Sequence, residues 1–395
     1  MMIDMRVAIF SDTYPPEING VATSARNLYR TFKAHGDSVL VVTTNPYNNE
    51  LALAGDILRL PGIELKHLYD YRAASVYNGD AMKLIREFAP EVIHIQTDGG
   101  VGQFGFIAAN LLHAATVYTF HTMMEDYTYY ATRGYFDRAA KSIVRTYVRY
   151  KSRRADEFIT PSIKIQEYMR NIGVDAYMNV IPTGIDFSAF KRENLDPKKI
   201  KELKSQFGLT PDTFVILSLG RVAKEKSIDL CLEGYAQFLA SKPARLTKFV
   251  VVGGGPALKD LQELSEKLGI SDHVVFVGPV NPDTVPLYYA LGDLFVSASI
   301  TETQGLTFME AMASSLLLFA RYDQSLVGII KDGENGFFFL DAADMAKKIG
   351  VIITLGASKT ASVKAAALRA IEPYSLEKFY SRVHEVYERA IKKNW

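Results

Sequence analysis

At 395 residues the chain is long enough for two domains with separate cores, and 48% hydrophobic with 23% charged residues is the balance of an ordinary water-soluble globular protein. A formal net charge of +1 excludes a global bias toward nucleic acid, and a single cysteine, Cys231, excludes an intrachain disulfide framework. No run of about 18 apolar residues occurs and the opening residues carry no signal-peptide pattern, so any membrane contact is expected to be peripheral.

Arg6–Phe10 reads as a buried first strand. A turn-rich loop follows, Ser11-Asp12-Thr13-Tyr14-Pro15-Pro16-Glu17-Ile18-Asn19-Gly20. Val21, Ala25, Leu28 and Phe32 then recur at helical spacing. This is a strand–loop–helix unit without the G-x-G-x-x-G dinucleotide fingerprint. Gly20, at the helix start, either lets backbone approach a phosphate or serves as a plain N-cap. Further strands are expected at 38–43, 57–60, 92–95, 115–120, 157–160 and 176–181, with a helix over 79–88. His121 falls just past the strand 115–120. That end of a parallel sheet is where ligands bind.

Two segments of this half differ from the rest. Residues 64–78 mix Leu65, Tyr69, Tyr71 and Tyr77 with Lys66 and Arg72. In 135–154, Arg138, Lys141, Arg145, Arg149 and Arg153 step by three or four, which is one helical face. Phe136, Ala140, Ile143, Tyr147 and Tyr150 form the opposing stripe. A basic amphipathic helix suits an anionic membrane surface. The same pattern also describes a surface helix with its apolar side on the core. No nucleic-acid motif accompanies it.

A break at Pro182-Thr183-Gly184-Ile185-Asp186 and a charged stretch to Lys204 mark an interdomain linker. A second series of strands follows at 213–219, 248–252, 274–277, 293–297 and 316–319, with helices between, which means another parallel sheet. After its first strand come Gly220-Arg221 and Lys226, two cations beside a helix start that can neutralise a pyrophosphate. Gly253-Gly254-Gly255 reads as a tight strand-to-helix turn. Cys231 is expected to fill core. Strand 293–297 runs into a loop holding Glu302 and Gly305, and a helix from about Leu306 carries Glu310. One carboxylate at a strand end and one on the next helix suit a nucleotide sugar. An acidic loop and a dipole-favoured helix carboxylate give the same spacing.

Taken together, Gly220-Arg221…Lys226, Glu302 and Glu310, Thr119-Phe120-His121-Thr122 and Pro182–Asp186 resemble the retaining GT-B glycosyltransferases of family four over nearly the whole chain. Within that family, Phe10–Pro16, His121–Tyr127, Ala320–Asp323 and Asp332–Phe338 are most similar to bacterial diacylglycerol glucosyltransferases. The resemblance implies an α/β fold of two Rossmann-like, doubly wound domains facing across a cleft. Residues 1–185 would take the acceptor lipid, 186–375 would bind the donor, and 376–395 would form a helix crossing back to the first domain. Arg221 and Lys226 would hold UDP phosphates, Glu310 the ribose, and Glu302 and His121 the sugar. Gly20, Gly220, Gly305 and Leu306 would line the donor. The implied partners are a UDP-sugar, a diacylglycerol-type lipid and an anionic membrane surface on the cytoplasmic side. No cofactor or metal is implied, since no Asp-x-Asp motif lies beside the donor residues. Transfer of a second sugar, a non-lipid acceptor, and binding without turnover remain open alternatives. The chain departs from the family where many relatives have two adjacent glycines and it has Asn19-Gly20.

Overall fold

The computed structural model describes residues 4–17, 19–65, 71–121, 137–300, 302, 304–323, 326 and 328–394, and the side chains among these except those of residues 65, 71 and 137–144. The chain divides into two compact units. The first comprises residues up to Gly184 together with Leu376 onward; the second is Ile185–Ser375.

The strands of the first unit are β1 (Arg6–Ser11), β2 (Ser38–Thr44), β3 (Ala52–Ala54), β4 (Ile57–Leu60), β5 (Gly62–Leu65), β6 (Tyr71–Ala74), β7 (Val92–Ile95), β8 (Ala115–Thr119), β9 (Glu157–Thr160) and β10 (Met178–Val180). Eight form one sheet in the order β10-β9-β8-β7-β1-β2-β4-β3, parallel except for the β3–β4 pair. β5 and β6 pair only with each other. Four helices matter here: α1 (Gly20–Ala34), α2 (Gly79–Phe88), α3 (Gly100–Leu112) and α4 (Asp137–Ser152).

The apolar run of β1 is buried on both faces, as a central parallel strand requires. Ala8 and Phe10 face one core with α2 and α3, while Val7 and Ile9 face a second core. That second core is roofed by α1 and by the last helix of the chain, Leu376–Asn394. Phe379, Tyr380, Val383, Val386, Tyr387 and Ala390 of this helix recur at three- and four-residue steps and are all buried. Polar contacts fix its far end. Lys393 and Arg389 lie 2.9 and 3.5 Å from the Glu157 carboxylate, and Asn394 donates to the His113 carbonyl at 2.8 Å. Gly184, at the exit from the first unit, has no room for a side chain: a Cβ there would lie 2.5 Å from that of Phe379.

In the second unit the strands are β11 (Phe214–Leu219), β12 (Thr247–Val252), β13 (Val274–Gly278), β14 (Leu294–Ser297), β15 (Leu317–Arg321) and β16 (Phe337–Phe339). Their order is β13-β12-β11-β14-β15-β16, all parallel. This is the doubly wound 3-2-1-4-5-6 arrangement, whose order reverses between β11 and β14. Helices α5 (Ile228–Ala240) and α6 (Leu306–Ala313) pack on opposite faces of it. Cys231 is buried in the α5 core, where loss of water pushes its thiol up to about 12, so it acts as an inert apolar filler.

The tyrosine stripe expected on α4 is corrected in part. Val148 and Lys151 face inward and Tyr147 is half-buried, but Tyr150 is exposed and stacks with Arg154. At 100° per residue, positions 147, 148 and 151 share a face that position 150 only flanks. Lys151, 2% exposed, is paired with Asp98 at 2.9 Å beneath the aromatic rings of Phe106, Tyr118 and Tyr147.

His94 lies in the centre of the first sheet, 1% exposed, with Nδ1 2.7 Å from the Tyr387 hydroxyl. Burial, then the neighbouring His121, pushes its pKa from 6.5 down to about 3. The unfolded chain therefore binds a proton that the folded one refuses, so stability is full above about pH 6.5 and is lost as pH falls toward the folded value. His94→Gln should flatten the dependence of unfolding free energy on pH between about 6 and 5 by one proton's worth, ~1.4 kcal/mol per pH unit. Denaturant melts at stepped pH would show this, and an unchanged slope would mean another group controls acid unfolding.

Candidate active site

Open α/β sheets bind ligands outside the carboxyl ends of their strands where the order reverses. In the second unit this places the loops after β11 and β14 side by side. β11 ends at Leu219, and Gly220 turns the chain with φ of +146°, a conformation that side chains disfavour. The chain then passes Arg221 and a short 3-10 turn, Lys224–Lys226, before α5. The glycine-rich turn after β12 braces this loop. Val222 N–H donates to the Gly254 carbonyl at 2.9 Å, and Ala257 N–H to that of Val222 at 3.1 Å. A Cβ at Gly253 would lie 1.8 Å from the Gly220 carbonyl oxygen, and one at Gly255 would lie 2.2 Å from that of Val222. The turn is thus a tight connection, and it also shapes the loop carrying Arg221.

From the other strand, Glu302 meets Lys226. Nζ and Oε1 are 2.6 Å apart, with the side chains 28% and 15% exposed. Arg221 pairs with Glu225, four residues on. Gly305, φ +75°, is the N-cap of α6, and no side chain caps that helix end. Phe308 N–H turns back to the Gly305 carbonyl at 3.0 Å, and the N–H groups of Leu306 and Thr307 ahead of it are the ones placed to meet a ligand. Glu310 sits in the second turn, and the buried Tyr289 hydroxyl lies 2.8 Å from its Oε2. Burial and then the Glu310 charge push the Tyr289 phenol far above its ordinary range, so it remains a hydroxyl donor that orients the carboxylate. Tyr289 lies 21 residues before Glu310 in an apolar stretch, and nothing local in the sequence announces the pairing.

The first sheet reverses between β1 and β7. Asp12, after β1, accepts from Thr97 Oγ1 at 2.5 Å and from Val101 N–H at 2.9 Å. It thereby caps α3, whose own N-cap Gly99 has no side chain to do so. His121 follows β8, with Nε2 2.5 Å from Gln96 Oε1. Part of the residue is open, yet its ring lies deep enough that burial pushes its pKa down to about 4.

Gly20 is not the N-cap. Asn19 takes that role, accepting from Ala22 N–H at 2.8 Å, and Gly20 is the exposed first residue of α1. Of the basic stripe, Arg145 and Arg153 are exposed and Arg149 is half-buried. The side chains of Arg138 and Lys141 lie outside the described residues. Glu302, Lys226, Arg221, Gly220, Gly305, Leu306 and Glu310 gather at the switch point of one sheet, and His121 and Gly20 belong to the other unit.

A Glycosyltransferase Family 4 model matches residues 18–189, and a Glycosyl transferases group 1 model matches 199–368. The chain belongs to the GT-B glycosyltransferases of family four, and it is a glycosyltransferase. It is 34% identical to the alpha-monoglucosyldiacylglycerol synthase of Streptococcus pneumoniae, covering 99% of this chain and 87% of that one. It is 31% identical to the protein of the same name from Acholeplasma laidlawii, covering 99% and 98%. Among solved structures, Anabaena HepE in complex with UDP and glucose superposes with a TM-score of 0.74 at 19% identity, covering 97% of this chain and 99% of that one.

The crowding at Gly253 gives a direct test of the loop. Gly253→Ala should lower unfolding free energy by about 2 kcal/mol or more, because the clash is with backbone and φ is +138°. Chemical denaturation reads this, and a variant as stable as the parent would show that the turn does not brace the Arg221 loop.

Proposed function

We propose that this protein transfers a hexose, glucose, from a UDP-sugar to the hydroxyl of a diacylglycerol-type lipid with retention, working as a peripheral protein on the cytoplasmic face of the membrane. The observation that carries the reading is the convergence of Lys226, Arg221, Glu302 and Glu310 on one sheet switch point, in a chain alike over its full length to two alpha-monoglucosyldiacylglycerol synthases.

In this reading the Lys226 ammonium, with three N–H donors, keeps one on Glu302 and turns the others to the pyrophosphate. Arg221 shares the phosphate charge, and the α6 start, from Gly305 and Leu306, contributes backbone donors. Glu310, oriented by Tyr289, takes the ribose hydroxyls. Glu302 and His121 take sugar hydroxyls, and Gly20 and Gly220 let backbone approach the donor. The bond from the sugar C1 to the phosphate oxygen breaks as the bond from C1 to the lipid oxygen forms on the same face. The departing phosphate takes the lipid hydroxyl proton, so no side-chain base is needed. Catalysis then rests on positioning and on charge stabilisation of the leaving group. No metal is assigned a role, since the cations supply the neutralising charge.

A grid of donors and acceptors, with and without EDTA, and with product anomers read by NMR, tests the whole reading. An α-glucosyl lipid formed from UDP-glucose and diacylglycerol in EDTA supports it. Activity only on an already glycosylated lipid, only on a soluble acceptor, or only with added metal would overturn the corresponding part. Within the site, Lys226→Ala should lower turnover by on the order of 10²-fold, as for other groups that stabilise transition-state charge. The partly exposed side chain contributes little to folding, so the melting curve should stay close to that of the parent. Near-normal turnover in that variant would remove Lys226 from the phosphate site.

A diacylglycerol acceptor lies in a bilayer, and among the described residues no single helix is long and apolar enough to cross one. We assign the membrane contact to the basic face of α4 with Arg153 just beyond it, each cation contributing about 1 kcal/mol near an anionic surface. The aromatic 64–78 segment adds shallow apolar contact, with Val76 and Tyr77 within it and Ile63 beside it exposed. Replacing Arg138, Lys141, Arg145 and Arg149 by Gln should release the protein from anionic vesicles in co-sedimentation and reduce activity on membrane-borne acceptor. Undiminished vesicle binding would leave the stripe a solvated face.

A further inference from the structure

His121 is held from outside its own segment. The contact is Gln96 Oε1, 2.5 Å from His121 Nε2. Gln96 is 2% exposed, and its backbone N–H donates to the Phe10 carbonyl at 2.8 Å, so the residue is fixed by the central strand beside it. Its Nε2 lies 2.8 Å from His94 Nε2, an atom also 2.7 Å from Thr119 Oγ1. On the far side of the same ring, His94 Nδ1 lies 2.7 Å from Tyr387 Oη.

A carboxamide has one face that only accepts and one that only donates. With the oxygen toward His121 and the NH₂ toward His94, every direction along the chain follows. His121 donates from Nε2 to Gln96. Gln96 donates to His94 Nε2, so the His94 proton sits on Nδ1 and is donated to Tyr387. The remaining ring nitrogen of His121, Nδ1, carries a lone pair.

We propose that Gln96 is a positioning residue for sugar transfer: its buried carboxamide grips His121 by Nε2 and leaves Nδ1 as the acceptor for a hydroxyl of the transferred hexose. The proposal rests on the reading above in which His121 meets the sugar. Glutamine fits this position for a definite reason. A carboxylate would place a charge in a nearly closed site and could not donate to His94. An apolar side chain would leave His121 Nε2 without its partner and His94 Nε2 with Thr119 alone. Burial holds both rings neutral, His94 down to about 3 and His121 down to about 4, which suits a nitrogen that must accept.

The test joins kinetics to a direct view of the ring. Gln96→Leu should lower kcat with UDP-glucose about 10-fold, the effect of one misplaced hydrogen bond. UDP affinity by calorimetry should be unchanged. The double variant Gln96→Leu/His121→Ala should be no slower than His121→Ala alone, because the two residues act as one unit. Additive losses, or an equal loss of UDP affinity, would make Gln96 a merely structural residue and overturn the proposal. Nitrogen NMR of histidine-labelled protein reads the His121 tautomer without any turnover. The parent should show Nε2 protonated and Nδ1 bare, Gln96→Leu a mixture, and Gln96→Glu, which keeps an acceptor for Nε2, the parental form. A parent with Nδ1 protonated would sink the proposal even if the leucine variant fails to fold. A parent with the expected tautomer that transfers no sugar from any donor would instead sink the functional reading on which it rests.

Discussion

The candidate donor site depends on strand β11 having β12 on one side and β14 on the other. A parallel strand can pass its chain to only one side, so the loops after β11 and β14 leave in opposite directions and open a crevice between them. That constraint brings Lys226 and Glu302 within 2.6 Å although 76 residues separate them. It also explains the glycines. The loop after β11 turns at a backbone angle that favours Gly220, and the neighbouring turn approaches so closely that Gly253 and Gly255 cannot carry a Cβ.

The charged pairs are of two kinds. Lys226–Glu302 and Arg221–Glu225 keep part of their surface in water, where such pairs contribute about 0–1 kcal/mol to stability. In the proposed function these pairs hold side chains in place before a ligand arrives. Lys151–Asp98 is nearly closed to solvent, and there desolvation can outweigh Coulomb attraction unless further partners are present. They are: the Tyr118 hydroxyl donates to Asp98 Oδ1 at 2.6 Å, and the Tyr147 hydroxyl donates to the Asp98 carbonyl at 3.0 Å. This pair fastens α4 to the loop that follows β7, which also carries Gln96 and Thr97.

The central strands were legible because a parallel strand buried on both faces appears as an apolar run, as in Val7-Ala8-Ile9-Phe10 and Leu294-Phe295-Val296. The edge strands β3 and β16 are apolar too, Ala-Leu-Ala and Phe-Phe-Phe, but at three residues each they are too short to read as strands. The candidate site residues were visible mostly as loop residues after strands. Their supports were not. Tyr289, Gln96 and Lys151 look like ordinary core or surface residues until the fold brings a distant partner to them. Tyr150 went the other way, because its apolar ring suggested burial and the helical period carries it out to Arg154.

The last helix has a consequence for how the protein is made. Its apolar stripe packs on β7, β8 and β9, beside the part of the face that α1 covers, so those strands stay exposed on that side until residues 376–394 leave the ribosome. The whole of Ile185–Ser375 is synthesised in between, which at about 5–20 residues per second occupies roughly 10–40 s. The second unit, contiguous in sequence, can close its core during that interval. The first, begun earlier, finishes later, and through the wait it offers chaperones an uncovered face of valine and isoleucine.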